Sequence, residues 1–183
     1  MSLNSNDIEV TPGIYLSQLR RDDRDVQVEL MKEEEIHLQT AVIPYPYTLE
    51  DADWWQDSVE KFNNECGRTM QWAIRGESQQ LIGFIGYKGQ CFIHETFKHR
   101  DEIGYWLGKP YWGKGIMTQV VGKVVNIGVN EYGLKRIEAP IKAYNKSSER
   151  VLEKCGFVKE STLKNAYFQN GDYLDGIMYV YYK

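Results

Sequence analysis

The chain has 183 residues, 42% of them hydrophobic and 13% aromatic, with 22 Lys and Arg against 26 Asp and Glu. That length and apolar content suit a single globular domain over residues 1–183 rather than a disordered chain. The net charge of −4 has no basic cluster to serve nucleic acid, no apolar run approaches a membrane span, and the polar opening is no signal peptide, so a cytoplasmic location is expected.

In chain order, Ile14 to Leu19 reads as a first strand. Asp22 to about Leu38 reads as a charged helix with Val26, Leu30 and Ile36 turned inward. Pro44-Tyr-Pro-Tyr47 is a loop by proline sterics. Thr48 reads as a helix N-cap, with Asp51 bonding back in a capping box. The helix that follows carries Trp54, Trp55, Val59 and Phe62. Gln71–Arg75 and Leu81–Lys88 form a hairpin around Gly76. A loop spans His94–Arg100.

The stretch from Glu102 to Thr118 changes period. Ile103, Tyr105 and Leu107 alternate with Gly104 and Trp106, as in a strand. From Ile116 the apolar residues Met117, Val120, Val121, Val124 and Val125 recur at helical spacing, and Gly133 is a plausible stop. Between them, Gly113 and Gly115 allow a tight turn whose backbone N–H groups face into the loop at the positive end of a helix. This is a seat for phosphate. A second block, Arg136 to Phe157, reads as a strand to Ile141, a turn, and a short helix Ser147–Lys154 ended by Gly156 in a left-handed cap. Phe157–Ser161 and Ile177–Tyr182 are the last strands, with an Asn170-Gly171 turn before the second. Pattern alone supports a mixed α/β chain.

Three phosphate-loop patterns compete for residues 108–118. A Rossmann fingerprint finds Gly113 and Gly115 but meets Thr118 at its third glycine. A P-loop finds Gly108, Gly113 and Lys114 but meets Gly115 where a magnesium-binding hydroxyl belongs, and Pro110 removes an N–H. The third fits best. Glu-Ile-Gly-Tyr-Trp-Leu followed by Tyr-Trp-Gly-Lys-Gly-Ile-Met-Thr resembles the acyl-coenzyme A pyrophosphate loop of the GNAT N-acetyltransferase superfamily, in its RimL-like branch that acetylates ribosomal-protein amino termini. Asn145, Ser148, Gly156 and Phe157 resemble that family's Asn-x-x-Ser helix ending in Gly-Phe. Two departures stand in the loop: Trp112 where Gln or Arg is usual, and Met117 where Gly or Ala is usual.

The resemblance implies a GNAT-like acyl-CoA N-acyltransferase fold of the mixed α/β type. It has a central, mostly antiparallel sheet with a splayed parallel strand pair and helices on both faces. It implies acetyl-CoA as cosubstrate, no metal, and direct attack by a primary amine in a ternary complex. The amine is a protein amino terminus or a small molecule. Homodimers are expected, because related folds pair.

The same resemblance places pantetheine between strands Glu102–Leu107 and Arg136–Ile141. Backbone at Trp106 and Leu107 and the side chain of Asn145 would hold it. Trp112, Gly113, Lys114, Gly115, Ile116, Met117 and Thr118 would hold the pyrophosphate. Ser148 would serve the thiolate, because Leu152 replaces the tyrosine many members use. The branch's glutamate base falls on Tyr167, so Glu102 is the candidate base, acting through a water. Tyr45, Tyr47, Trp54 and Trp55 are candidates to line the acceptor pocket. A non-catalytic acyl-CoA sensor on the same scaffold is the alternative.

Cys66, Cys91 and Cys155 are odd in number and widely spaced. They form no C-x-x-C pair, and with His37, His94 and His99 complete no zinc pattern, so reduced thiols are expected.

Overall fold

The structure is a computed structural model that describes residues 7–183. The first six residues, on which the signal-peptide expectation rests, lie outside the described part. Eight strands form one sheet: β1 (Ile8–Thr11), β2 (Ile14–Ser17), β3 (Gln71–Arg75), β4 (Leu81–Tyr87), β5 (Arg100–Leu107), β6 (Arg136–Lys142), β7 (Val158–Gln169) and β8 (Asp172–Tyr182). Their spatial order is β1-β2-β3-β4-β5-β6-β8-β7. Every neighbouring pair is antiparallel except β5 and β6. The mixed α/β architecture with one parallel pair is therefore present.

Helices cover both faces. α1 (Arg24–Leu30), α2 (Glu34–Gln39) and α3 (Leu49–Glu65) lie on one, while α5 (Ile116–Asn130) and α6 (Lys146–Lys154) lie on the other; a four-residue helix α4 (Gln90–Ile93) precedes β5. Strand alternation sorts side chains between the faces. Ala73, Leu81, Phe84 and Trp106 join Met31, Ile36 and Val59 in one buried cluster. Trp72, Ile74, Ile103, Leu107, Ile137 and Ala139 join the α5 valines in the other.

Thr48 caps α3 as expected. Its hydroxyl accepts from the Asp51 N–H at 3.2 Å, and the Asp51 carboxylate accepts from the Thr48 N–H at 2.8 Å. The Gly76 hairpin closes through Gly76 N–H to Gln80 O at 3.0 Å. Asn170 and Gly171 turn β7 into β8 with φ of 53° and 91°.

Five expectations need correction, one being the last strand, β8, which begins at Asp172 instead of Ile177. A strand, β1, precedes the one expected first, and β7 runs on to Gln169 instead of stopping at Ser161. Strand β5 starts at Arg100, not Glu102. The single helix Asp22–Leu38 is two helices, broken at residues 31–33, and Val26 is 39% exposed. The cause of this last difference is a buried ion pair. The Asp23 carboxylate takes both terminal nitrogens of Arg75, each at 2.7 Å. This turns Asp23 inward, together with Gln27 one turn later, and rolls Val26 outward.

Candidate active site

The parallel pair β5–β6 holds for only three rungs: Arg100 with Arg136, Asp101 with Ile137, and Glu102 with Glu138. Beyond them β5 continues from Ile103 to Leu107 paired only with β4, and β6 continues from Ala139 to Lys142 paired only with β8. The two strands part, and Pro140, which has no N–H to give, lies in the parted stretch.

The loop that follows β5 sits at one end of this gap. Lys109–Tyr111 form a single tight turn, with the Lys109 ammonium held by Glu33 at 2.9 Å and Glu35 at 2.6 Å. That turn fills the place of a P-loop cradle. The Trp112 indole N–H donates to the Leu107 carbonyl at 2.6 Å, and its ring packs against both core clusters. Trp112 thus braces the loop from inside, and its side-chain donor is already engaged.

Gly113 and Gly115 have φ of 73° and 75°, and nothing lies within 4 Å of where a Cβ would stand on either. Residues 113–115 are exposed. Gly115 is the N-cap of the 15-residue α5, whose first N–H groups have no carbonyl one turn earlier to bond. The bend is open to solvent, unsealed by side chains. Ile116 is half-buried, and Met117 is buried in the core, so only its amide faces this end. The Thr118 carbonyl accepts from the Cys155 thiol at 3.3 Å. The Lys114 ammonium lies 5.7 Å from the Tyr111 ring centre. A groove of about 390 Å³ continues from Thr118 past Gln119, Lys123, Lys154 and Cys155.

Across the gap, Asn145 caps α6. Its Oδ1 accepts from the Ser148 N–H at 3.0 Å and from the Ser147 hydroxyl at 2.8 Å, and its amide donates to the Gln39 carbonyl at 3.2 Å. The cap holds Ser148 in the first helical turn, buried, with its Oγ 2.6 Å from the Tyr105 hydroxyl. Burial pushes the Tyr105 phenol well above its ordinary range. Leu152 is fully buried core.

Glu102 opens the gap from the opposite face. Burial raises its carboxyl above the usual carboxylate range; Lys88, 3.9 Å away, opposes this, and Glu138 and Asp101 reinforce it. Glu138 is itself neutralised by Arg136 at 2.5 Å and Arg100 at 3.4 Å.

Beyond Glu102 is a cleft of about 480 Å³ between residues 37–42 and the β7–β8 hairpin. His37, Ala41, Val42, Lys142, Tyr167 and Gln169 are among its walls. Burial raises the Tyr167 phenol, and the nearby Glu102 carboxylate adds to it. Tyr45 stands at the rim, its ring 5.7 Å from that of His37. Tyr47 is further away, accepting from Gln27 at 2.8 Å. Trp54 is 68% exposed and Trp55 packs edge-on against Phe84, so neither lines the cleft.

The structure therefore brings together Glu102, Trp106, Leu107, the 112–118 loop, Asn145 and Ser148 around one gap. It leaves Trp54 and Trp55 outside. Sequence reading passed over Tyr105, Lys123, Lys142, Lys154 and Gln169. For Tyr105 a signal existed: it shares the inward face of β5 with Ile103 and Leu107 and is the polar residue among them.

Among the described residues all three cysteines are free, no group of three metal-ligating side chains occurs, and no helix is long and apolar enough to cross a membrane.

Residues 14–158 match the family described as acetyltransferase (GNAT) domain. Relatives include the uncharacterized N-acetyltransferase YoaA of Bacillus subtilis, 37% identical over 61% of this chain and 62% of YoaA. N-acetyltransferase p20 of Bacillus licheniformis is 26% identical over 92% of both chains. The ribosomal-protein-serine acetyltransferase of Escherichia coli is 30% identical over 56% of this chain and 55% of its own. The matches to YoaA and to the E. coli enzyme thus span less than two thirds of those proteins. Among solved structures, RimL, a ribosomal L7/L12 alpha-N-protein acetyltransferase in complex with coenzyme A, superposes with a TM-score of 0.82 at 20% identity, covering 97% of this chain and 98% of RimL.

Proposed function

The chain belongs to the GNAT acetyltransferase family, and from that membership we propose that it transfers the acetyl group of acetyl-CoA to a primary amine by direct attack in a ternary complex. The interrupted β5–β6 ladder beside an open glycine bend carries the reading. It offers unpaired strand edge to an extended amide chain and N–H groups to a diphosphate at the positive end of α5. Residues 1–183 act in this reading as one catalytic domain.

Acetyl-CoA supplies an activated thioester. The amides of residues 113–118 and the Lys114 ammonium hold its diphosphate, and Lys123 and Lys154 offer charge to the phosphates beyond. Strand edges at Trp106 and Leu107 grip the pantetheine arm, with Asn145 setting the helix against which it lies. Glu102 takes a proton from the incoming ammonium through a water; its raised pKa makes it a stronger base than a surface glutamate. Ser148 donates a hydrogen bond to the leaving sulfur, because Tyr105 can supply the Oγ with a proton of its own. Bringing donor and amine together in one cleft provides most of the acceleration.

A coupled thiol-release assay with acetyl-CoA and a panel of amines tests this reading. Acetylation of at least one amine is the expected result. Tight coenzyme binding without turnover of any acceptor favours the second reading, an acyl-CoA sensor. The presence of Leu152 where many superfamily members carry a tyrosine, and of Tyr167 where parts of the proposed branch carry a glutamate, motivates that alternative.

A further inference from the structure

Lys142 is the last residue of β6, in the part that has left β5, and only 2% of it is exposed. No carboxylate among the described residues pairs with it. Its ammonium donates to the Leu38 carbonyl at 2.7 Å and to Gln169 Oε1 at 2.5 Å, with the Tyr167 ring centre 6.0 Å away. An ammonium has three N–H donors. Two are taken by neutral oxygens, and the third has no acceptor among the described residues.

The neighbours fix this charge in place. Lys142 sets the amide of Gln169, whose oxygen must face the ammonium. The Gln169 nitrogen then donates to the His37 carbonyl at 3.1 Å and faces His37 Nε2 at 3.0 Å. His37 Nδ1 faces the Ile43 carbonyl at 2.6 Å, so it carries the hydrogen. Nε2 is then placed to accept from the Gln169 amide. No Asp or Glu lines the cleft. Among the described residues Lys142 is the one Lys or Arg in its walls, and burial lowers its pKa, a cost that an anion beside it would offset. Glu102, whose neighbour Glu138 is already paired with Arg136 and Arg100, lies toward the inner end. Strand rise puts Lys142 about 13 Å along β6 from the Glu102–Glu138 rung.

We infer that Lys142 selects the acceptor: the cleft takes a primary amine that also carries a carboxylate, with the amine toward Glu102 and the carboxylate on the free N–H of Lys142. The inference rests on the acetyltransferase reading above. An anion placed there satisfies an unmade hydrogen bond and an uncompensated charge together. A polyamine instead sets a second cation against the buried Lys142 ammonium.

The test is the thiol-release assay on the full chain with matched acceptors. These are a free amino acid and its amide, a dipeptide and its C-terminal amide, and spermidine. The carboxylate forms should exceed their amides in kcat/KM by about tenfold or more, chiefly through KM, and spermidine should be poorest. The amino acid and dipeptide arms reveal which length fits. K142M should erase the acid-over-amide preference while the KM for acetyl-CoA holds, and K142R should restore part of it. Equal use of acid and amide, a preference for spermidine, or a preference that survives in K142M overturns the inference while leaving acetyl transfer standing. If K142M does not fold, the wild-type acid–amide comparison and K142R decide. Turnover of no amine at all removes both readings.

Discussion

The Tyr105 hydroxyl lies 2.6 Å from Ser148 Oγ and ties the middle of β5 to the first turn of α6. Burial keeps the phenol protonated at any working pH. With Tyr105 donating, the serine hydrogen is free to turn toward a third atom. S148A should lower kcat by about 100-fold, the scale of a lost proton donor, with the KM for acetyl-CoA nearly unchanged. Y105F should cost less, about tenfold, and the double variant should fall short of the product of the two. Steady-state thiol release measures all three. An S148A enzyme with wild-type kcat removes Ser148 from the chemistry.

Gly115 holds φ of 75° in open space. A methyl group there meets no neighbour, so the penalty is purely conformational, about 1–2 kcal/mol. Relaxing that strain turns the amides of the bend away from their common focus. G115A should weaken acetyl-CoA binding about tenfold by titration calorimetry, with the thermal midpoint of the ligand-free protein falling by no more than the few degrees that this penalty accounts for. A loss of affinity matched by general unfolding would point to a structural role instead.

Glu102 is expected to govern the acidic limb of the rate profile. Burial raises its pKa, so kcat/KM should fall as pH drops through a value above the ordinary glutamate range. The linkage sign is opposite for stability. Between the unfolded and the raised folded pKa the native state binds more protons than the unfolded one, so stability declines as pH rises through that window. The groups facing Glu102 are Lys88, Asp101, Glu138 and Tyr167. E102Q should flatten both dependences. An acidic limb that persists in E102Q assigns the base elsewhere.

Gly128 sits inside α5 where a Cβ would come within 2.1 Å of the Tyr87 hydroxyl, which donates to the Val124 carbonyl at 2.9 Å. G128A should destabilise the fold by about 1–3 kcal/mol through overpacking. Calorimetry should show the midpoint falling by several degrees, roughly 2–4 °C per kcal/mol at this size. An unchanged midpoint would mean that Tyr87 swings aside without cost.

Much of the loop and cap geometry around the β5–β6 gap was legible because its signals are local. The change of period at Ile116, the glycines at 113 and 115, and the Asn145 cap each act within a few residues of chain. The cleft around Lys142 was not. Lys142, Gln169 and His37 are separated by 27 and 132 residues, and only the return of β8 beside β6 brings the hairpin back over the loop after α2. The aromatic pair Trp54–Trp55 misled for a related reason: α3 turns Trp54 to solvent and Trp55 onto Phe84, and helical spacing cannot show which way a helix docks. The long β7 escaped notice because its outer residues are exposed on both sides and show no alternation to read.

Three rungs are all that stitch the β1–β5 half of the sheet to the β6–β8 half. Such a seam is weak along its open length, and a guest lying in it works as a splint, lending each half the backbone partners the other withholds. In the proposed reading, a donor lying there would stiffen the molecule, and release of the spent carrier would loosen it. The cleft beside Lys142 straddles that seam, so its walls would be drawn to their final spacing only once the splint is in.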